Sequence, residues 1–178
     1  MPLKLDKLSA LNRSIVEDVQ HELRMQGHYL TGNTEKSFEN REERVNGVLI
    51  LSADASAIAG ILETGVPSSR IPFDSSQRTG AKTSKYIQGL KGYAMLRFGV
   101  GEAEALSIAF AIAKKHEKEG MPTEGSIKYS QTGSRINAAE TAFENNEQRY
   151  FGTMDDVISD EFDDQWTKAA NQNITLVI

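Results

Sequence analysis

The chain has no cysteine among its 178 residues. Without cysteine it cannot form disulfide bonds, bind a metal through thiolates or use a cysteine nucleophile, which fits assembly in a reducing cytosol. It also has no apolar run close to the roughly 20 residues that a membrane-spanning helix needs. Residues 1–14 lack the apolar region of a signal peptide. We therefore expect a soluble protein that has no membrane partner and is not exported by that route.

A basic excess is missing as well, since the net charge is −5 and the sequence pI is near 5.3. Dedicated nucleic-acid-binding domains usually carry an excess of basic residues, so the total argues weakly against that class. The charges are unevenly distributed, because basic residues dominate 66–98 and acidic residues dominate 155–164. The chain is therefore electrically polarised along its sequence.

The usual signatures of catalysis and metal binding are missing or incomplete. His21, His28 and His116 lack the spacing of metal sites, so we interpret them as surface histidines. Residues 78–84 faintly resemble a phosphate-binding loop, but Ala81 separates the glycine from the lysine that the signature places next to it. We predict no catalytic residue, no cofactor, no metal site and no enzymatic activity.

Two alternative functions arise from the charged segments. Asp156, Asp160 and Asp163 would share one helix face, and paired carboxylates bind the divalent cations of nucleases. A solvated outer face is the simpler interpretation of such an acidic run. The basic residues in 66–91 indicate either a loop or an arm that docks on a partner or on DNA phosphate. A small metal-dependent nuclease that uses the acidic 155–164 helix and a DNA-binding adaptor module remain the alternatives.

The length predicts a single domain, 1–178, with one core. A hydrophobic fraction of 39% and a mean hydropathy of −0.44 predict a small body with much polar surface. Two stretches rich in glycine, serine, threonine and proline, about 66–84 and 120–135, are predicted to be long projecting loops.

Apolar residues recur at helical spacing along most of the chain. The helix of 102–118 begins with acidic residues and ends with lysines, which matches the helix dipole, and we expect it to be the centre of the core. Its predicted buried face includes Ala103, Leu106, Phe110 and Ala113. The predicted helices cover about 5–26, 55–63, 85–98, 102–118 and 138–150, and a further amphipathic stretch over 154–169 follows a predicted break near Gly152.

The Asn46-Gly47 dipeptide predicts a β-hairpin with a type I′ turn. The second strand, 48–51, is apolar on both faces and is predicted to lie inside, whereas the first, 36–44, is charged and is predicted to be exposed or an edge. Residues 174–178 are apolar and β-branched, and we predict a third strand there that joins the hairpin. The predicted fold class is α+β, a small and mostly antiparallel sheet packed by several helices.

Several short segments in the first 135 residues resemble the tail-completion or neck proteins of tailed bacteriophages, also known as minor tail or head-tail joining proteins. The matching order begins with the long N-terminal helix. The segments that follow it are Leu30-Thr31-Gly32-Asn33, Glu63-Thr64-Gly65-Val66-Pro67, Arg70-Ile71-Pro72-Phe73, Ser84-Lys85-Tyr86-Ile87, Gly89-Leu90, Ile108-Ala109-Phe110-Ala111-Ile112-Ala113 and Gly120-Met121-Pro122-Thr123.

This resemblance implies a structural protein of the virion, one copy in a homo-oligomeric ring at the head-tail junction. Its implied partners are further copies of itself, the portal or connector and tail proteins, and packaged DNA through non-specific contact. A ring closes when one patch on each copy meets a different patch on the next, and opposite charges on separate segments supply such patches. The predicted subunit-interface residues are Arg70, Arg78, Lys82, Lys85, Asp155, Asp156, Asp160 and Asp164.

Overall fold

The computed structural model describes residues 3–46, 48–77 and 84–172, and the described chain is α+β, as predicted. The helices are α1 (Leu3–Met25), α2 (Asn33–Lys36), α3 (Ala57–Thr64), α4 (Lys85–Phe98), α5 (Glu102–Glu119) and α6 (Ala138–Gln172). The strands are β1 (Glu39–Val45) and β2 (Val48–Asp54), and two 3₁₀ turns cover Ser68–Arg70 and Glu124–Tyr129. The predicted strand at 174–178 lies outside the described residues.

Helices α1 and α6 lie antiparallel against each other. The Tyr150 hydroxyl donates to the Asp18 carboxylate at 2.6 Å, and the Arg149 guanidinium donates to the same carboxylate. Further along, the Lys7 ammonium meets the Asp160 carboxylate at 2.7 Å. These side-chain contacts show that α1 packs against one side of α6 over at least residues 149–160.

The break predicted near Gly152 is wrong, because α6 is one 35-residue helix. A glycine inside a helix costs only about 1 kcal/mol relative to alanine. Tyr150 and Val157, on either side of Gly152, are both buried. The packing of these two side chains against the rest of the molecule outweighs the local penalty.

Helices α4 and α5 form a second antiparallel pair, and both begin and end close to the predicted positions. The Ser84 hydroxyl caps α4 by accepting from the Ile87 backbone N–H at 3.2 Å. Ile87 packs against Ala109 and Ala113 of α5, and all three are fully buried. The predicted core role of α5 holds, although its buried stripe is Ala105, Ala109 and Ala113, and Ala103 is exposed.

The hairpin pairs Val45 with Val48 and Glu39 with Asp54, as an antiparallel ladder. The charged strand β1 is exposed along its whole length, as predicted. The prediction that β2 lies inside is wrong, because Leu49 and Leu51 are only half-buried and the intervening Ile50 is exposed. Among the described elements, α1 contacts both strands and leaves much of the sheet uncovered. The start of the predicted first strand, at Lys36, belongs instead to α2.

The described parts of the two long segments are tied to other parts of the chain by backbone hydrogen bonds. Val66 and Met121 exchange two backbone hydrogen bonds of 2.7 and 2.8 Å, which tie the two segments together. Gly120 has a φ of +81°, and a Cβ there would lie 2.4 Å from the Val66 carbonyl oxygen. The second segment is also tied to α1, since the Gln131 N–H donates to the Met25 carbonyl at 2.8 Å. Hydrogen bonds between distant segments therefore anchor the described parts of both long segments.

Candidate functional site

The structure places the predicted interface residues on two separated parts of the surface. Arg70 ends a 3₁₀ turn beside α5, and Lys85 opens α4; both are exposed. All four acidic candidates, Asp155, Asp156, Asp160 and Asp164, are exposed on α6. Arg78 and Lys82 lie outside the described residues. The predicted contact between basic and acidic candidates of neighbouring copies stays a prediction.

Asp160 has a partner within its own chain, which the sequence did not indicate. It pairs with Lys7 of α1 at 2.7 Å, with both side chains nearly half exposed. Exposed ion pairs of this kind contribute roughly 0–1 kcal/mol. Asp160 therefore links α1 to α6 within one chain. Only the exposed part of its carboxylate can contact another molecule.

The amphipathic stretch predicted over 154–169 exists, and Val157 is buried, but most of its large apolar side chains face outward. Met154, Ile158, Phe162 and Trp166 follow one another at four-residue spacing and are 44%, 65%, 66% and 69% exposed. Each step of four advances about 40° around a helix of 3.6 residues per turn, so the stripe turns progressively away from α1. The Phe162 and Trp166 rings stack, with centroids 6.4 Å apart. We call Ile158, Phe162 and Trp166, with the aspartates around them, the α6 face.

A cavity of about 510 Å³ lies beyond the C-terminal end of α1, whereas Lys7 and the α6 face are at its N-terminal end. It is open to solvent on one side and is lined by the residues that follow α1, by residues of α3, α4 and α5, and by the segment around the second 3₁₀ turn. Its apolar wall includes Ile58 and Ile61 of α3 and Tyr93 and Phe98 of α4, each of which is more than a third exposed. A pocket of this size and character is typical of binding sites. Sequence reasoning missed it, because its walls come from segments up to about a hundred residues apart along the chain.

The cavity carries positive charge without a balancing carboxylate. Arg97, Lys128 and Arg135 line it, and none of the described lining residues is Asp or Glu. Arg97 and Lys128 both lie over the Tyr129 ring, 5.7 and 5.0 Å from its centre. Such a combination of cations and aromatic rings suits an anion that carries apolar or aromatic groups.

Arg135 is the most enclosed of these cations. Its guanidinium donates to the carbonyl oxygens of Gly27 and Ser126, each at 3.3 Å, and its Nε is buried without a hydrogen-bond partner among the described residues. Burial lowers the pKa of Arg135, and the Arg97 charge acts in the same direction. Neutral carbonyls only partly compensate a buried cation, so Arg135 gains from an anion at the cavity.

The two histidines of the cavity are half-buried and hydrogen-bonded, so the interpretation of His28 and His116 as surface histidines is wrong. His28 Nε2 lies 3.1 Å from the Arg135 carbonyl oxygen, and its Nδ1 lies 3.3 Å from an Arg135 guanidinium nitrogen. This arrangement selects the tautomer that donates from Nε2 and accepts at Nδ1. Burial lowers the pKa of His28, and the Arg135 charge lowers it further.

His116 is also half-buried and hydrogen-bonded. Its Nδ1 lies 2.6 Å from the Tyr86 hydroxyl oxygen. Burial lowers the pKa of His116 and raises the pKa of Tyr86 to about 12. At neutral pH the positive charge of the cavity therefore rests on its arginines and lysine.

The described ranges contain no group of three or more His, Asp or Glu side chains that could hold a metal ion. In 3–46, 48–77 and 84–172, no helix combines the length and apolarity needed to cross a membrane.

No protein-family model, no curated protein and no solved structure matches the chain.

Proposed function

We propose that the chain is a structural subunit of a tailed-bacteriophage particle, which forms a ring at the head-tail junction and joins the portal or connector to the tail. The place in the particle comes from the resemblance of several short segments in the first 135 residues to neck and tail-completion proteins. The structural support is for association with other protein subunits, and it comes from α6.

The α6 face is the observation that carries the proposal. Ile158, Phe162 and Trp166 are each about two-thirds exposed along one side of a helix. Single exposed apolar residues are ordinary, but contiguous apolar patches rimmed by polar residues mark interaction sites. Exposed aromatic rings also fit the composition of interface centres, where Trp, Tyr and Phe are enriched. The face is therefore best explained as a surface that other subunits cover.

The proposed role is mechanical and involves no turnover. The partners are further copies of the chain, the portal or connector, and tail proteins, with non-specific contact with packaged DNA in the channel. The uneven charge distribution supports this role, because complementary potentials on adjoining subunits set their register and speed their association.

The test locates the chain and looks for rings. Mass spectrometry and antibody labelling of purified mature particles should find the chain at the head-tail junction, and electron microscopy of the purified chain at high concentration should show closed rings. Absence from mature particles would contradict the proposal, above all if the chain cleaves DNA with magnesium or manganese and the Asp160→Ala variant does not.

A further inference from the structure

The α6 face and the cavity lie at opposite ends of the molecule. The Lys7–Asp160 pair marks one end of α1, and the cavity begins at Gly27, beyond the other end. Twenty residues of α-helix span about 30 Å, and Trp166 lies further along α6, past Asp160. Because α6 is one continuous helix, a chain cannot bring its own α6 face to its own cavity.

The two surfaces are complementary in charge. Arg97, Lys128 and Arg135 give the cavity its positive charge, and the described residues that line it include no carboxylate. The α6 face is flanked by exposed aspartates, among them Asp155 and Asp163. Each surface therefore has the charge that the other lacks.

They are also complementary in their apolar groups. The cavity wall presents Ile58, Ile61 and Phe98, which are 55%, 45% and 49% exposed. The α6 face presents the stacked Phe162 and Trp166 rings. Removing these groups from water together favours association, and arginine side chains stack well on aromatic rings.

We infer that the α6 face of one copy, centred on Phe162 and Trp166, docks against the cavity of the next copy. This inference rests on the proposed function, because it specifies how the copies in the ring meet. The contact joins two different patches, so a pair of copies keeps one free cavity on one copy and one free α6 face on the other. Further copies can therefore add at both ends, and a ring forms when the rotation between successive copies closes. The cavity replaces the segment around Arg70 and Lys85 as the basic partner of the acidic helix.

The test uses two variants that each lose one of the two surfaces. The cavity variant carries Ile58→Glu and Arg97→Glu, and the helix variant carries Phe162→Ala and Trp166→Ala. All four side chains are exposed, so circular dichroism should show unchanged folds. The matched control is Leu96→Ala, since Leu96 is 66% exposed on α4 and does not line the cavity.

Light scattering at increasing concentration gives the readout. The unmodified chain and the Leu96→Ala control should associate beyond a dimer, and each surface variant alone should associate at least tenfold more weakly. An equimolar mixture of the two variants should form a dimer and stop there, because it holds one intact cavity facing one intact α6 face.

Four results would overturn the inference. If the variants associate like the unmodified chain, copies meet elsewhere, and the proposed function stands. If the mixture stays monomeric, the two surfaces do not meet each other. If the unmodified chain stays monomeric up to its solubility limit, the copies do not pair in this way, and its presence in particles still tests the proposed function separately. If the apolar anion 1-anilinonaphthalene-8-sulfonate binds the cavity in an Arg97-dependent manner without changing association, the cavity serves a small ligand.

Discussion

The two ends of the α1–α6 pair differ in charge and in how they are built. The α6 face comes from one continuous helix, with its acidic and aromatic residues close together in sequence. The cavity is assembled from distant segments, with Arg97 on α4 and Arg135 in the segment before α6. The comparison teaches that the conspicuous basic stretch of the sequence is not the whole cationic surface, because folding brings separate cations to one place.

The largest expected effect comes from loosening the helix that separates the two ends. Tyr150 is 1% exposed and donates to Asp18, so Tyr150→Ala should lower the free energy of unfolding by about 3–5 kcal/mol. Chemical denaturation measures this loss. The neighbouring Phe151→Ala is the control, because Phe151 is 48% exposed and should cost much less. Equal losses for the two variants would contradict the packing described for α6.

A smaller effect is expected at the cavity end, where backbone segments touch at Gly120. Gly120→Ala would place a Cβ 2.4 Å from the Val66 carbonyl oxygen at a φ of +81°. We expect a loss of about 1–3 kcal/mol in thermal or chemical unfolding, the usual cost of such strain. Gly125→Ala serves as the control, since a Cβ there would meet no heavy atom within 4 Å among the described residues beyond its two chain neighbours. An unchanged stability for Gly120→Ala would show that Val66 and Met121 are not held together as described.

The cavity end should also respond to acid through His28. Its folded pKa is lowered from the ordinary value of 6.5, so below that pH the unfolded chain takes up a proton more readily than the folded one. The contribution of His28 to stability is therefore present above pH 6.5 and lost as the pH falls toward the folded pKa. The free energy of unfolding, measured from pH 7.5 to pH 5, should fall less steeply for His28→Gln than for the unmodified chain. A steeper fall of the free energy of unfolding for the variant would contradict this direction of the His28 contribution.

The smallest expected effect is at the opposite end, in the Lys7–Asp160 pair. A double-mutant cycle with Lys7→Met and Asp160→Asn should give a coupling of roughly 0.2–1 kcal/mol, because both groups are nearly half exposed. High salt should reduce that coupling. A coupling near zero at low salt would mean that Asp160 is free for another molecule, which would sharpen the contrast between the two ends.

Local patterns predicted the elements well. The Ser84 cap of α4, the charged termini of α5 and the hairpin at Asn46 depend on neighbouring residues, so they can be derived from the sequence. The continuity of α6 through Gly152 could not be derived in this way, because it depends on packing against α1.

The site was less predictable than the fold. The stripe containing Ile158 was visible in the sequence, but periodicity marks an apolar face without saying whether the same chain covers it. No local sequence pattern indicated the cavity, because Arg135 contacts Gly27 and His28 only in the folded chain. The interpretation of His28 as a surface group failed for the same reason.

The most direct measurement of the central claim follows the emission of Trp166, the single tryptophan of the chain, as concentration rises. If copies cover the α6 face, the emission maximum should shift to shorter wavelength on association and stay unshifted in the Ile58→Glu and Arg97→Glu variant. An emission maximum typical of a water-exposed indole in the assembled ring would contradict the claim.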